Sequence, residues 1–164
     1  MAFAIIILLY VTIGLLAAAG SIFIANRLFS PKVEQIFFAL FLIPIAGFYL
    51  AFTAYFGEEA AWRLETGAMI VFTVFGLLGA RVPVVLMIGY FLHGFWDVLH
   101  EVHAHAGVDL FGAGRVTEIP LAYGAFCVAY DWCLVAYFYS RRRDFSAAWK
   151  ASPTYRPPHL ARTT

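Results

Sequence analysis

Charge is what this chain lacks most: 13% of its 164 residues are Asp, Glu, Lys or Arg, and the two signs nearly cancel to a formal net charge of +1. With 63% hydrophobic residues and a mean hydropathy of +0.81, it has more apolar surface than a soluble domain of this size can hide. No nucleic-acid partner is expected. Cysteine is scarce as well. Cys127 and Cys133 lie six positions apart on one expected helix, so the helical rise alone separates them by about 9 Å, out of reach of a disulfide. They read as packing thiols and say little about compartment. Strand-like alternation is missing and the apolar runs are too long and continuous for a transmembrane barrel, so helices must satisfy the backbone in lipid. Internal repeats, low-complexity tracts and signs of a second domain are absent.

What is present is five long apolar runs. Phe3 to Asn26, Val33 to Tyr55, Ala60 to Ala80, Pro83 to His105 and Glu118 to Ser140 each come near the roughly 20 residues a helix needs to cross about 30 Å of hydrocarbon. The expected fold is all-α: a polytopic bundle of five transmembrane helices over residues 1–143, multi-pass in the cell membrane, packed sequentially and antiparallel because the connections are short. Arg27, Lys32, Arg81 and the run Arg141, Arg142, Arg143 fall on one side of that bundle. Glu58, Glu59, Glu65, Asp109 and Glu118 fall on the other, with only Arg63 and Arg115. The positive-inside rule then predicts the N-terminus outside and the C-terminus cytoplasmic. Ala17, Ala18 and Ala19 could mark a processing site, but no basic residue precedes the first run, which argues against a cleavable signal peptide. Residues 144–164, rich in Ser, Pro, Thr, Lys and Arg, read as a cytoplasmic disordered tail in which Trp149 and the basic residues could rest on an anionic leaflet. His159 in that tail is assigned no role.

Against this apolar background the run LHGFWDVLHE stands out. At 100° per residue His93, Asp97, His100 and Glu101 share an arc of about 100° on one face of the fourth helix. The fifth helix brings Asp131, flanked by Tyr130 and preceded a turn or two earlier by Cys127 and Tyr123. Counting about 1.5 Å per residue from the cytoplasmic ends places His93 and Asp131 within roughly 3 Å of the same depth, near mid-membrane. An ionisable group there costs about 2.5 to 3.5 kcal/mol if unpaired, so these side chains must face inward and meet one another. Gly89, Gly94 and Gly124 allow close helix approach or room for a ligand, and Pro44 with Gly47 predicts a kink that opens a cavity. Glu58, Glu59, Trp62, Glu65, His103, His105 and Glu118 would ring an outward mouth, with Thr117 as N-cap of the fifth helix. Trp96, Tyr130, Tyr123, Trp62 and Glu59 are the expected substrate-binding residues. The plainer reading of each polar residue is a cross-helix pair contributing about 0.6 kcal/mol; His103 and His105 read as interfacial loop residues, and most aromatics as lipid-facing bulk. One partner per group would suffice for structure, and a set of four on one helix exceeds that.

The pattern H-x-x-W-D-x-x-H-E followed by Gly-x-x-Cys-x-x-x-Asp, between Leu92 and Tyr137, resembles an uncharacterised bacterial family of small multi-spanning membrane proteins. That family carries H-T-G-W-D-x-x-H-H and a C-x-x-x-D on its last helix. His93, Gly94, Trp96, Asp97, His100, Gly124 and Asp131 match it, and Glu101 stands where the family has its second His. The resemblance brings no activity with it. A fainter likeness is to sterol isomerases of the emopamil-binding-protein type, five-helix enzymes that move a proton with His and Glu, and it serves only as a chemical precedent.

Four functions compete. In the first, a membrane enzyme acts on a lipid-like or isoprenoid-like substrate by proton transfer, as an isomerase or cyclase. Asp97 or Asp131 is its acid and His93 or His100 its base, Glu101 belongs to the catalytic set, and Trp96 and Tyr130 steady a cation. In the second, His93, Asp97 and His100 hold zinc or non-haem iron, with Asp131 or Glu101 in support, for hydrolysis or oxidation of a lipid. The third is a proton-coupled transport component, for which five helices would call for a homodimer. A structural subunit of a larger complex is the fourth.

Overall fold

The computed structural model describes residues 1–107 and 111–150; Asp109 and the segment 151–164, with His159, lie outside the described residues. Among the described residues there are six helices and no strand: α1 (Ala2–Leu28), α2 (Pro31–Phe56), α3 (Trp62–Gly79), α4 (Pro83–Ala106), α5 (Tyr123–Ser140) and α6 (Arg142–Lys150). Three of them, α1, α2 and α3, are long and apolar enough to cross a membrane. Large apolar side chains stand exposed along α1, Leu8, Leu16 and Phe23 each by about two thirds. A helix this apolar on its outward face is solvated by lipid, and the chain is a membrane protein. The remaining long helices, α4 with 24 residues and α5 with 18, interrupt their apolar runs with the ionisable residues.

Local chemistry sets the helix ends. Pro31 and Pro83 sit in the first turn of α2 and α4, where a missing N–H costs nothing. Gly57 and Gly107 end these helices in the left-handed region, with φ of 73° and 64°. The fifth helix differs from expectation. It starts at Tyr123 after Ala122, which has φ of 62°, and Thr117 is not its N-cap. The buried Thr117 instead gives its backbone N–H to Glu65 Oε1 (3.1 Å) and its hydroxyl to Glu58 Oε2 (2.6 Å), so two carboxylates from the α2–α3 end draw this stretch away from the helix axis.

Packing is not sequential throughout. Lateral contacts run α2–α3, α3–α4, α4–α5 and then α5–α1, whereas α1 and α2 barely touch despite a two-residue connection. Small residues explain the choice, since α1 buries only Gly14, Ala18 and Ala25. A Cβ at Gly14 would lie 2.3 Å from the Phe126 carbonyl oxygen of α5. Such backbone-level contact is what holds helices together in lipid, where apolar burial alone gives no preference. No Cα of α2 comes within 8 Å of one in α5, so these two helices meet through side chains only, as where the Phe52 and Tyr123 rings lie 4.9 Å apart and those of Phe38 and Phe138 5.6 Å.

The stretch from Asp144, expected as disordered tail, is helical over 144–150 as part of α6. Phe145 is fully buried, its ring 4.9 Å from that of Phe138. Trp149 donates its indole N–H to Gln35 Oε1 (3.0 Å) and lies between Lys32 (5.4 Å) and Arg81 (5.6 Å). One apolar and one amphipathic anchor four residues apart are enough to hold a single helical face down.

Candidate functional site

Helix α4 delivers His93 and Asp97 one turn apart on its buried face, and α5 brings Asp131 against them. His93 Nδ1 lies 2.7 Å from Asp131 Oδ2 and 3.3 Å from Asp97 Oδ2, and all three residues are at most 1% exposed. The close approach depends on glycine. A Cβ on Gly94 would fall 2.7 Å from the Trp132 indole nitrogen and 3.3 Å from Asp131 Cβ, and one on Gly124 would fall 2.5 Å from the Asp97 carbonyl oxygen. A side chain at Gly124 would meet backbone and push α5 off α4, drawing Asp131 away from His93, whereas one at Gly94 would first displace the exposed Trp132 indole. The fourth member is Tyr49 of α2, whose hydroxyl donates to Asp97 Oδ1.

This arrangement fixes the chemistry of His93. Two carboxyl groups crowd Nδ1 and hold a proton there, so a neutral ring carries its lone pair on Nε2. Nε2 is buried and has no hydrogen-bond partner, and Asp97 Oδ2 likewise has no partner with hydrogen-bond geometry. An imidazole held by a carboxylate on one nitrogen with the other free is the arrangement of a general base. His93 and Asp131 border a cavity of about 230 Å³, walled by Phe41, Ile45 and Phe48 of α2 and by Tyr123, Phe126, Cys127 and Tyr130 of α5. It lies between those two helices. None of the outer-mouth residues expected from sequence borders it, so the cavity is a lateral slot and not the floor of an outward funnel. Exposed Glu59 and Trp62 do not border it, whereas Tyr123 and Tyr130 do.

His100 leads elsewhere. Its Nδ1 lies 2.9 Å from the Trp96 carbonyl oxygen, an acceptor only, so that nitrogen carries a proton. Nε2 meets Glu65 Oε1 at 2.9 Å, and the same oxygen accepts the Thr117 N–H. His100 is therefore hydrogen-bonded at both ring nitrogens. With both nitrogens committed, His100 does not join a metal set with His93 and Asp97. The described residues that can offer ligand atoms within 4.8 Å of one another are His93, Asp97 and Asp131. The two layers touch through Tyr49, whose ring lies 4.0 Å from that of His100. Trp96 belongs to the His100 layer, its indole N–H 3.4 Å from Glu65 Oε2. Glu101 turns to α5, where its Oε2 accepts the Gly124 N–H (3.0 Å) and its Oε1 lies 3.5 Å from His105 Nε2. It satisfies an otherwise unpaired donor of the first turn of α5, the task expected of Thr117.

Sequence reasoning missed Tyr49 and the edge-on Phe72 ring 4.8 Å from His93, and it placed Glu65 on the rim. It also missed a cluster at the opposite end of the bundle. Buried Glu34 there accepts from the Tyr137 hydroxyl and from Arg141 (3.2 Å), which also reaches Asn26 Oδ1 (3.1 Å). A Glu in the first turn of α2 and an Arg just past α5 were the available signals. No family model, curated protein or solved structure matches this chain.

Proposed function

We propose that this chain is a membrane enzyme that moves a proton on a lipid-like or isoprenoid-like substrate, as an isomerase or cyclase. The observation that carries the reading is His93, a residue that borders an apolar cavity, is held through Nδ1 by Asp131 and Asp97, and has a buried, unpartnered Nε2. His93 Nε2 takes a proton from a carbon of the substrate, and the imidazolium formed lies against two carboxyl groups that stabilise it. The imidazolium returns a proton from Nε2 at a second carbon, so the double bond shifts between the two carbons and the ring is neutral again, while Asp131 and Asp97, the latter oriented by Tyr49, hold its charge in between. Tyr123 and Tyr130 offer ring faces to developing positive charge. Substrate reaches the slot sideways from the bilayer between α2 and α5. In this reading α4 and α5 also span, giving five crossings of the cell membrane with the N-terminus outside and the C-terminus cytoplasmic.

A metal is the second reading, supported by the mutual approach of ligand atoms from His93, Asp97 and Asp131. A neutral imidazole and two carboxylates balance one divalent cation, and such a donor set suits zinc or non-haem iron.

Protein reconstituted with its native lipid extract in D2O separates the two. Proton transfer places carbon-bound deuterium in a lipid fraction, and His93→Ala reduces that incorporation by about 10²-fold or more. Incorporation that survives in His93→Ala removes the acid–base reading. Elemental analysis of the same samples reads the alternative: stoichiometric zinc or iron, lost in Asp131→Ala and kept in His100→Ala.

A further inference from the structure

The outer end of α3 holds a recess of different chemistry. A cavity of about 550 Å³ is bordered by Ala60, Arg63, Leu64, Phe111 and Arg115. A groove of about 320 Å³ shares Arg63 and Leu64 with it and continues past Gly67 and Val71 to Phe72 and Trp96. From Arg63 to Phe72 this is about 13 Å along the helix axis, from the end of α3 toward its middle. Polar at one end and apolar along its length, the recess has the shape of an amphiphile.

Charge specifies the head group. Among the described residues neither the Arg63 nor the Arg115 guanidinium has a hydrogen bond or ion pair, and both side chains are exposed. Two of the neighbouring acids are engaged elsewhere, Glu58 Oε2 accepting from Thr117 and the Glu118 N–H (2.9 Å) and Glu65 from His100 and Thr117, which leaves exposed Glu59 as one carboxylate against two guanidiniums. Helix α3 begins at the same place without a side-chain cap, so its first N–H groups add further positive potential. Two guanidiniums match a phosphomonoester, which carries about −1.5 to −2 at neutral pH and accepts bidentate hydrogen bonds. A carboxylate leaves one positive charge unmatched, and a zwitterionic head repels them with its own cation.

We infer that this recess binds a lipid with a terminal phosphate monoester, its head between Arg63 and Arg115 and one chain in the groove beside α3. The site is separate from the slot at His93 and does not rest on the reaction proposed there. The chain of the bound lipid lies against Phe72 and Trp96, whose rings also lie 4.8 Å from that of His93 and 5.2 Å from that of His100 respectively.

The test titrates the purified full chain in neutral detergent with 1-oleoyl lysophosphatidate, 1-oleoyl lysophosphatidylcholine and inorganic phosphate, reading bound ligand by native mass spectrometry. Lysophosphatidate is expected to bind at least tenfold more tightly than the choline lipid, and Arg63→Gln with Arg115→Gln to remove that preference. A second variant, Gly67→Leu, reads the groove separately. A Cβ there meets nothing within 4 Å, so the fold accepts it, while the larger side chain fills the channel. It is expected to weaken lysophosphatidate binding at least tenfold and to leave inorganic phosphate unaffected. Equal binding of the two lipids, or a preference that persists without the arginines, overturns the proposal. So does full lipid affinity in Gly67→Leu, which would reduce the recess to an anion site without a chain groove.

Discussion

His93 and His100 lie on one face of one helix, seven residues apart, and they have different chemistry because their neighbours differ. One has both carboxyl contacts on Nδ1 and a free Nε2; the other spends both nitrogens on a carbonyl and a carboxylate. Tyr49 connects them, with its hydroxyl on Asp97 and its ring on His100. Replacing it by Phe keeps the ring packing and leaves an acceptor of buried Asp97 without its donor, a cost of about 1 to 3 kcal/mol. Thermal unfolding of Tyr49→Phe in detergent should show a midpoint several degrees lower; an unchanged midpoint would mean that Asp97 finds another donor. A helical wheel reports direction and not height. The wheel therefore placed His100 with His93 correctly by face, although about 10 Å of rise puts it among a different set of partners. Tyr49 was illegible for a related reason: in the aromatic run GFYLAF nothing local marks which ring turns to α4, because the register of α2 against α4 is set by packing between distant segments.

At the scale of helices, the ends of α1 to α4 were legible to within two or three residues, since Pro31, Pro83, Gly57 and Gly107 act locally. The start of α5 was not, because Glu58 and Glu65, some fifty to sixty residues away in sequence, capture Thr117. Nor was the partner of α1. Short connections favour sequential neighbours, yet the Gly14 face fits the Phe126 carbonyl of α5 so closely that it overrides chain proximity. Gly14→Val should therefore separate α1 from α5 and destabilise the protein by about 1 to 3 kcal/mol or more, the range for overpacking. The same change at Gly20, where a Cβ meets nothing within 4 Å, should have little effect on the unfolding midpoint. Equal midpoints for the two variants would show that the α1–α5 contact yields without cost.

For the molecule as a whole, polarity is arranged in layers along the bundle. Glu34, Tyr137 and Arg141 tie one end, the His93 set lies in the interior, and Glu65, His100, Thr117 and Glu58 tie the other. The proposed topology puts Ser30 and Arg81 on the cytoplasmic side and Gly57 outside. In a Cys127→Ala, Cys133→Ala background, a membrane-impermeant maleimide added to right-side-out vesicles should label Gly57→Cys and spare Ser30→Cys until the vesicles are opened. Labelling of both from one side would refute the proposed crossings. The pairing of α1 with α5 also has a bearing on biogenesis. Between completion of Leu28 and of Ser140 a ribosome adds 112 residues, roughly 6 to 22 s of elongation. For that interval the first helix is without its mate, its glycine and alanine seam open to acyl chains or to the insertion machinery, and the bundle closes only once the fifth helix has been made.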